Sequence, residues 1–463
     1  VEYTESHLPH HLSRHEFLKQ KQLATTDSTD GTTRLTPPNA GTIEKPAAVS
    51  APTPAVKVSW ASRTFESMRH RDFRLMWMGM FLSMGGFNML MLVRGILVYE
   101  ITSDAQRTAL VSIGWAPGLL IMSLWGGVLG DRVERRMLIQ LAQLANAIFA
   151  LSVGILIMTG LIEWWHLMVV SSLQGCTFAL QIPARTAAMA QLVPKNLIGN
   201  AMALNSTAMT LMSIAAPAVG GILYELIEPH GVYFVVTVMM VLAMVFTTLL
   251  PKMYPDQNQS KTKESPIVNI KRGIRYAAKN RLVRALLIQS VVIAMLSMPF
   301  RMLVPVFAKE LYGSVPSEVG WLATMAGIGG IAASIGVASL RSGQRRGLVI
   351  LASPIISAIS IFMIGMMPWY WVGMIVFVGV GFGESIRFAL GQALVVEHAN
   401  PRYRARMTSL SMMTYGMIPL AAFPIGWFVD NVGVVETVIG MSIALFTAGV
   451  AFIIFSTSVR NLR

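Results

Sequence analysis

Residues 126–138 read GGVLGDRVERRML. Asp131, Arg132, Glu134, Arg135 and Arg136 share one short turn, while the residues on either side are almost free of charge. Charge gathered between two apolar runs marks a tight loop at a membrane surface, where Lys and Arg are held on the cytoplasmic side. Composition agrees with that reading. Of 463 residues, 54% are hydrophobic and 13% charged, with a mean hydropathy of +0.57, more apolar than an average soluble domain.

Working outward from the turn, twelve segments approach the roughly 20 apolar residues that cross a hydrocarbon layer. They cover about 73–98, 108–130, 136–160, 165–190, 198–224, 231–250, 283–308, 318–340, 347–367, 370–396, 406–429 and 433–456. An even number predicts both termini on one side. The turns after the second, fourth, sixth, eighth and tenth spans hold Arg132, Arg135, Arg136, Lys195, Lys252, Lys261, Lys263, Lys271, Arg272, Arg341, Arg345, Arg346, Arg402, Arg404 and Arg406. The opposite turns hold mainly acids: Glu100, Asp104, Glu163, Glu225, Glu228, Glu310, Glu318, Asp430 and Glu436, against Arg107 and Lys309. This asymmetry predicts cytoplasmic termini.

The net charge of +14 is therefore read as topology, and nucleic-acid binding is not expected. The single cysteine, Cys176, gives no disulfide framework and no CxxC site. No GxxxxGK[ST] loop and no sizeable soluble domain are present, so energy comes from a gradient or from the cargo, with no cofactor. Residues 1–71 are expected to be a disordered cytoplasmic tail, rich in Thr, Pro, Ser and His over 1–58. Its His7, His10, His11 and His15 are open to two readings, a metal site or a solvated tail. The first apolar run starts so late that a cleavable signal peptide is not expected.

The expected domains are a first six-helix bundle over 72–250, a cytoplasmic linker over 251–281, a second bundle over 282–457 and a cytoplasmic end over 458–463. Within the linker, PIVNIKRGIRYAAKN (266–280) spaces Ile267, Ile270, Ile274, Ala277 and Ala278 as an amphipathic helix, suited to an anionic leaflet. The halves also repeat. A shift of 209 places Gly127 on Gly336, Arg132 on Arg341 and Arg136 on Arg345, and a shift of 207 places Pro194 on Pro401 and Pro217 on Pro424. Two parallel repeats imply a pseudo-two-fold axis along the membrane normal and a site between them near mid-bilayer. The fold class is an all-α membrane protein of twelve transmembrane helices in two pseudo-symmetric six-helix bundles.

The stretch from Gly127 to Arg136 resembles the major facilitator superfamily signature, Gly-x-Leu-Ala/Gly-Asp-Arg-x-Gly-Arg-Arg. RHRDFRLMWMGMFLSMGG (69–86), VYEIT (98–102) and QIPARTAAMAQLVP (181–194) are similar to the branch containing enterobactin exporters and macrolide-efflux-like proteins, the transmembrane secretion effectors. The resemblance covers about 66–456 and implies a bacterial inner-membrane transporter with alternating access. It further implies that Gly127, Asp131, Arg132 and Arg136 form a cytoplasmic latch against the start of the eleventh span, near Arg402, Arg404 and Arg406. A basic turn serving topology alone is the other reading. Two departures stand out: Glu134 occupies a glycine position of the signature, and Leu340 falls where the second copy would need its acid.

Ionisable groups inside spans are functional candidates because their burial in lipid is unfavourable. Arg94 and Arg301 sit in the first and seventh spans, 207 residues apart, the repeat shift itself. Facing one cavity, two guanidiniums would hold a carboxylate, phosphate or catecholate bidentately; alternatively each snorkels to headgroups or pairs with an acid such as Glu384. Glu384 and Arg387, at i and i+3 on the tenth span, share a face; Glu384 either carries a coupling proton or pairs within its helix. Gln181 and Arg185 flank Pro183 near the inner end of the fourth span, as an inner gate or a topology anchor. Asn88, Asn205, Gln289 and Gln392 are neutral hydrogen-bonding candidates, toward cargo or between helices. The expected partners are a small-molecule substrate, protons and the lipid bilayer, around a monomer that is not an enzyme. The expected activity is proton-coupled export of a bulky amphiphile, in some cases anionic, such as a drug or siderophore-like metabolite. Alternatives on the same fold are a lysophospholipid flippase and a non-transporting sensor or scaffold.

Overall fold

Regular structure among the described residues is entirely helical, and the sequence shows locally why each helix starts and stops. The computed structural model describes residues 65–130, 133–254, 266–340, 345–400, 403, 407, 410, 421–460 and 462. After a 3-10 turn at Glu66–Arg69 come α1 (Arg71–Thr102), α2 (Ala105–Ile113), α3 (Trp115–Gly130), α4 (Arg135–Met158), α5 (Trp164–Leu192) and α6 (Ile198–Thr248). The second half holds α7 (Pro266–Lys279), α8 (Arg281–Met302), α9 (Val304–Tyr312), α10 (Pro316–Ala338), α11 (Arg346–Met366), α12 (Tyr370–His398), α13 (421–432), α14 (Val434–Phe455) and α15 (Thr457–Arg460).

Asp104 starts α2 by accepting the Arg107 N–H at 2.7 Å, and Asn280 starts α8 by accepting from Leu282 and Val283, each at 3.1 Å. Gly313, at φ 62°, ends α9 in the left-handed conformation that glycine adopts freely. Two breaks fall at prolines. Glu228, at φ 59° and ψ 167°, precedes Pro229 and divides α6 into its two spanning arms. Leu303 separates α8 from α9, with Pro305 in the first turn of α9.

Nine described helices are long and apolar enough to cross a bilayer, one of them being the two-armed α6. The second span is interrupted at Gly114, and much of the eleventh lies outside the described residues. The helices carry large apolar side chains outward, including Trp371, Ile375 and Phe455, each at least 74% exposed, as a lipid-facing surface requires. One expected boundary moves: residues 65–71, assigned above to the tail, are ordered, with Ser67 held to Asn200 and Leu197. The histidines of the tail lie outside the described residues.

In the first bundle α1 packs between both arms of α6, and α3 lies against α5; in the second, α10 lies against α12, and α11 against α12 and α14. Glycines make the same close crossing in each. A Cβ on Gly118 or Gly175 would stand 1.9 Å from a backbone oxygen of the facing helix, and on Gly329 or Gly381 it would stand 1.9 and 1.7 Å away. The paired crossings, second span on fourth and eighth on tenth, are the repeat expressed as packing.

The halves meet toward the end that carries the acids. Tyr99 donates to Glu310 at 2.5 Å, the Asp430 carboxylate accepts from the N–H groups of Ala105 and Gln106 at 2.8 Å each, and Glu225 accepts from Ser317 N–H at 2.7 Å. Nearer the middle, Thr324 donates to the Ile214 carbonyl at 2.7 Å. At the opposite, basic end, the one residue Asn280 links α7 to α8, Arg284 of α8 donates to the Ala278 carbonyl of α7 at 3.2 Å, and Tyr276 stacks on Tyr403 at 4.3 Å while accepting the Asn400 N–H.

Candidate functional site

Below the acidic-end contacts a cavity of about 280 Å³, open at one mouth, separates the halves. Phe87, Asn88, Met91 and Trp115 line it from the first half, and Phe300, Arg301, Phe377 and Glu384 from the second. Its wall is largely aromatic and aliphatic with few polar groups, the composition of a pocket for an apolar body with one polar feature. Met91, Met298 and Met302 add side chains that adapt to shape.

The polar feature is built on α8 and α12. Ser297 and Arg301, one turn apart on α8, both reach Glu384 on α12: the serine hydroxyl donates to the carboxylate at 2.8 Å, and an Arg301 nitrogen lies 3.7 Å from its other oxygen. The Glu384 side chain is 8% exposed and that of Arg301 51%, so the acid is set into the wall and the guanidinium stands in the cavity. The break at Leu303 follows Arg301 by two residues, leaving the cation at the end of its helix.

The other predicted residues disperse. Arg94 does not join Arg301: it is buried inside the first bundle, donating to Ser171 at 2.7 Å and to Gln174 on α5. It borders a small side pocket that shares Phe87, Met91, Ser112 and Trp115 with the main cavity. Repeat position fixed its height along the helix, whereas the acceptors on α5 fixed its direction. Asn88 lines the cavity, with its amide donating to the Met84 carbonyl. Gln289 is buried and donates to Ile350, tying α8 to α11, so it serves helix packing and not the cavity wall. Arg387 is buried one turn from Glu384, whose ionic partner is Arg301 and not Arg387. Asn205 contacts Met209, and Gln392 is half-buried.

Gln181 and Arg185 are both buried, and the Arg185 guanidinium has no hydrogen-bond partner among the described residues. Of the predicted latch, Asp131 and Arg132 lie outside the described residues, Gly127 falls within α3, and Arg136 donates to the Leu250 carbonyl in its own half. Ser297 was missed by sequence reasoning, although its place four residues before Arg301 on a helix was a usable signal. The aromatic wall from Trp115, Phe178 and Phe377 was also unforeseen, because aromatic residues in apolar spans carry no mark of which face they occupy; only the Met295–Phe300 stretch was expected to soften a pocket.

Residues 76–422 match the family profile of the Major Facilitator Superfamily. The chain belongs to that superfamily. Among curated superfamily relatives it is 23% identical over 250 residues to the uncharacterized MFS-type transporter YfiS of Bacillus subtilis, covering 53% of this chain and 58% of that one. It is 24% identical to macrolide efflux protein A of Streptococcus pyogenes, covering 73% and 85%. It is 26% identical to the enterobactin exporter EntS of Shigella boydii, covering 69% and 76%. Among solved structures, the nucleoside transporter NupG superposes with a TM-score of 0.66 at 13% identity, covering 83% of this chain and 99% of that one, which shows a shared fold. The protein is thus a multi-pass membrane transporter with efflux-type relatives, and not an enzyme.

Proposed function

We propose that this transporter exports a bulky amphiphile from a bacterial cytoplasm across the inner membrane, in exchange for protons, with both termini cytoplasmic. One observation carries the reading: a large aromatic and methionine-lined cavity holds a set-in carboxylate, Glu384, beside a half-exposed guanidinium, Arg301. Macrolide and enterobactin efflux by the relatives named above support the cargo class. The apolar body lies against Trp115, Phe178, Phe300 and Phe377, and a donor or cationic group on the cargo competes with the proton for Glu384. Such competition is what couples inward proton flow to outward cargo flow. Asn88 offers a second hydrogen bond, and Gly127, Asp131, Arg132 and Arg136 act at the cytoplasmic latch.

Arg301 favours a second reading, an anionic amphiphile such as a catecholate. In that reading the anion takes Arg301 from its pairing with Glu384, so proton and cargo bind together and not in competition. The membrane potential itself expels an anion, by about 2.3 kcal/mol per charge per 100 mV. Proton release on cargo binding separates the readings. Purified protein in weak buffer is titrated with a macrolide and with a catecholate. Release that disappears in Glu384→Gln supports exchange, uptake supports the anionic reading, and no proton movement with either removes Glu384 from coupling.

A further inference from the structure

We propose that Asp430 and Glu225 are positioning residues that hold the acidic end of the transporter shut, each by capping the first turn of a helix in the opposite half. The two contacts are related by the pseudo-two-fold axis. Glu225 ends the fifth span and accepts from Ser317, in the first turn of the eighth; Asp430 ends the eleventh span and accepts from Ala105 and Gln106, in the first turn of the second. The fifth and eleventh spans are repeat partners through Pro217 and Pro424, as are the second and eighth.

The accounting of free backbone donors shows why these bonds act on the gate. A helix leaves its first N–H groups without internal acceptors. In α2, Arg107 N–H is satisfied by Asp104 of the same half, while Ala105 and Gln106 N–H depend on Asp430 of the other. In α10 the first residue, Pro316, has no N–H, so Ser317 presents the first free donor, and Glu225 takes it. Separation of the halves at this end removes these three hydrogen bonds along with the Tyr99–Glu310 bond, and leaves intact each helix's own capping. The caps therefore bias the equilibrium between closed and open without holding either bundle together.

The test uses the full chain in lipid nanodiscs, on a Cys176→Ser background, with spin labels at Ile101→Cys and Val432→Cys, exposed positions on opposite halves. Pulsed-EPR distances report closure independently of any cargo, so failure here is distinct from failure of the exchange reading. Asp430→Ala and Glu225→Ala are each expected to raise the open-to-closed ratio about tenfold, as the loss of an ion-assisted hydrogen bond allows, and the double variant more than either. Asp430→Asn keeps one acceptor oxygen and is expected to open less than Asp430→Ala, a graded rescue that a packing defect does not give. Should the alanine pair fail to fold, Asp430→Asn with Glu225→Gln is read instead, for a smaller shift in the same direction. A wild-type distance distribution in whichever folded double variant is measured overturns the proposal.

Discussion

Alanine at Gly221 tests whether the acidic end closes by direct backbone contact. Gly221 lies on the fifth span, where an added Cβ would stand 2.4 Å from the Pro316 carbonyl oxygen and 3.0 Å from Ser317 Cα in the other half. Gly320 mirrors it, its Cβ position 2.6 Å from the Pro217 carbonyl. Both obstacles are backbone, so no side chain can swing away, and the halves must part by roughly 1 Å to reach a tolerable contact. Overpacking of this kind costs about 1–3 kcal/mol, and because the strain exists only in the closed arrangement, the open-to-closed ratio should rise about 5–150-fold. Distances between spin labels on the acidic ends of the two halves measure that ratio, with a thermal melt alongside. A Gly221→Ala protein that closes as fully as wild type would refute the claim that these helices touch across the interface.

Gly381→Ala, by contrast, places its Cβ 1.7 Å from the Ala326 oxygen within one half; it should lower thermal stability by about 1–3 kcal/mol or more, while Gly440→Ala, with nothing within 4 Å, should melt as wild type. Arg94→Ala strands buried Gln174 and Ser171 and should destabilise the fold by roughly 1–3 kcal/mol, whereas Arg301→Ala, half-exposed in the cavity, should leave melting nearly unchanged and alter cargo binding instead.

Membrane passes and their pairing into halves were legible because hydrocarbon demands long apolar segments and the turns keep their charge. Glu384 was legible for the same reason, as an acid where acids are costly. The direction of Arg94 was not. A helix apolar on every side has no periodic stripe to show which face turns inward, so the equal heights of Arg94 and Arg301 hid their opposite surroundings. Asp430 and Glu225 read as loop acids with a topological role, since their acceptor function depends on backbone donors more than ninety residues away in sequence. Ser297 was hidden by its ordinariness, one hydroxyl among many in apolar helices.

The junction between α7 and α8 deserves a mechanical reading. A single residue, Asn280, links them, and the Tyr276–Tyr403 stack braces α7 from the side. Helix α7 therefore cannot swing on its own and must travel with the C-terminal bundle, like a vane fixed to a shaft. A fluorophore on that vane would register the tilt of one bundle against the plane of the leaflet, turning an invisible rotation within the bilayer into a change of depth at its surface.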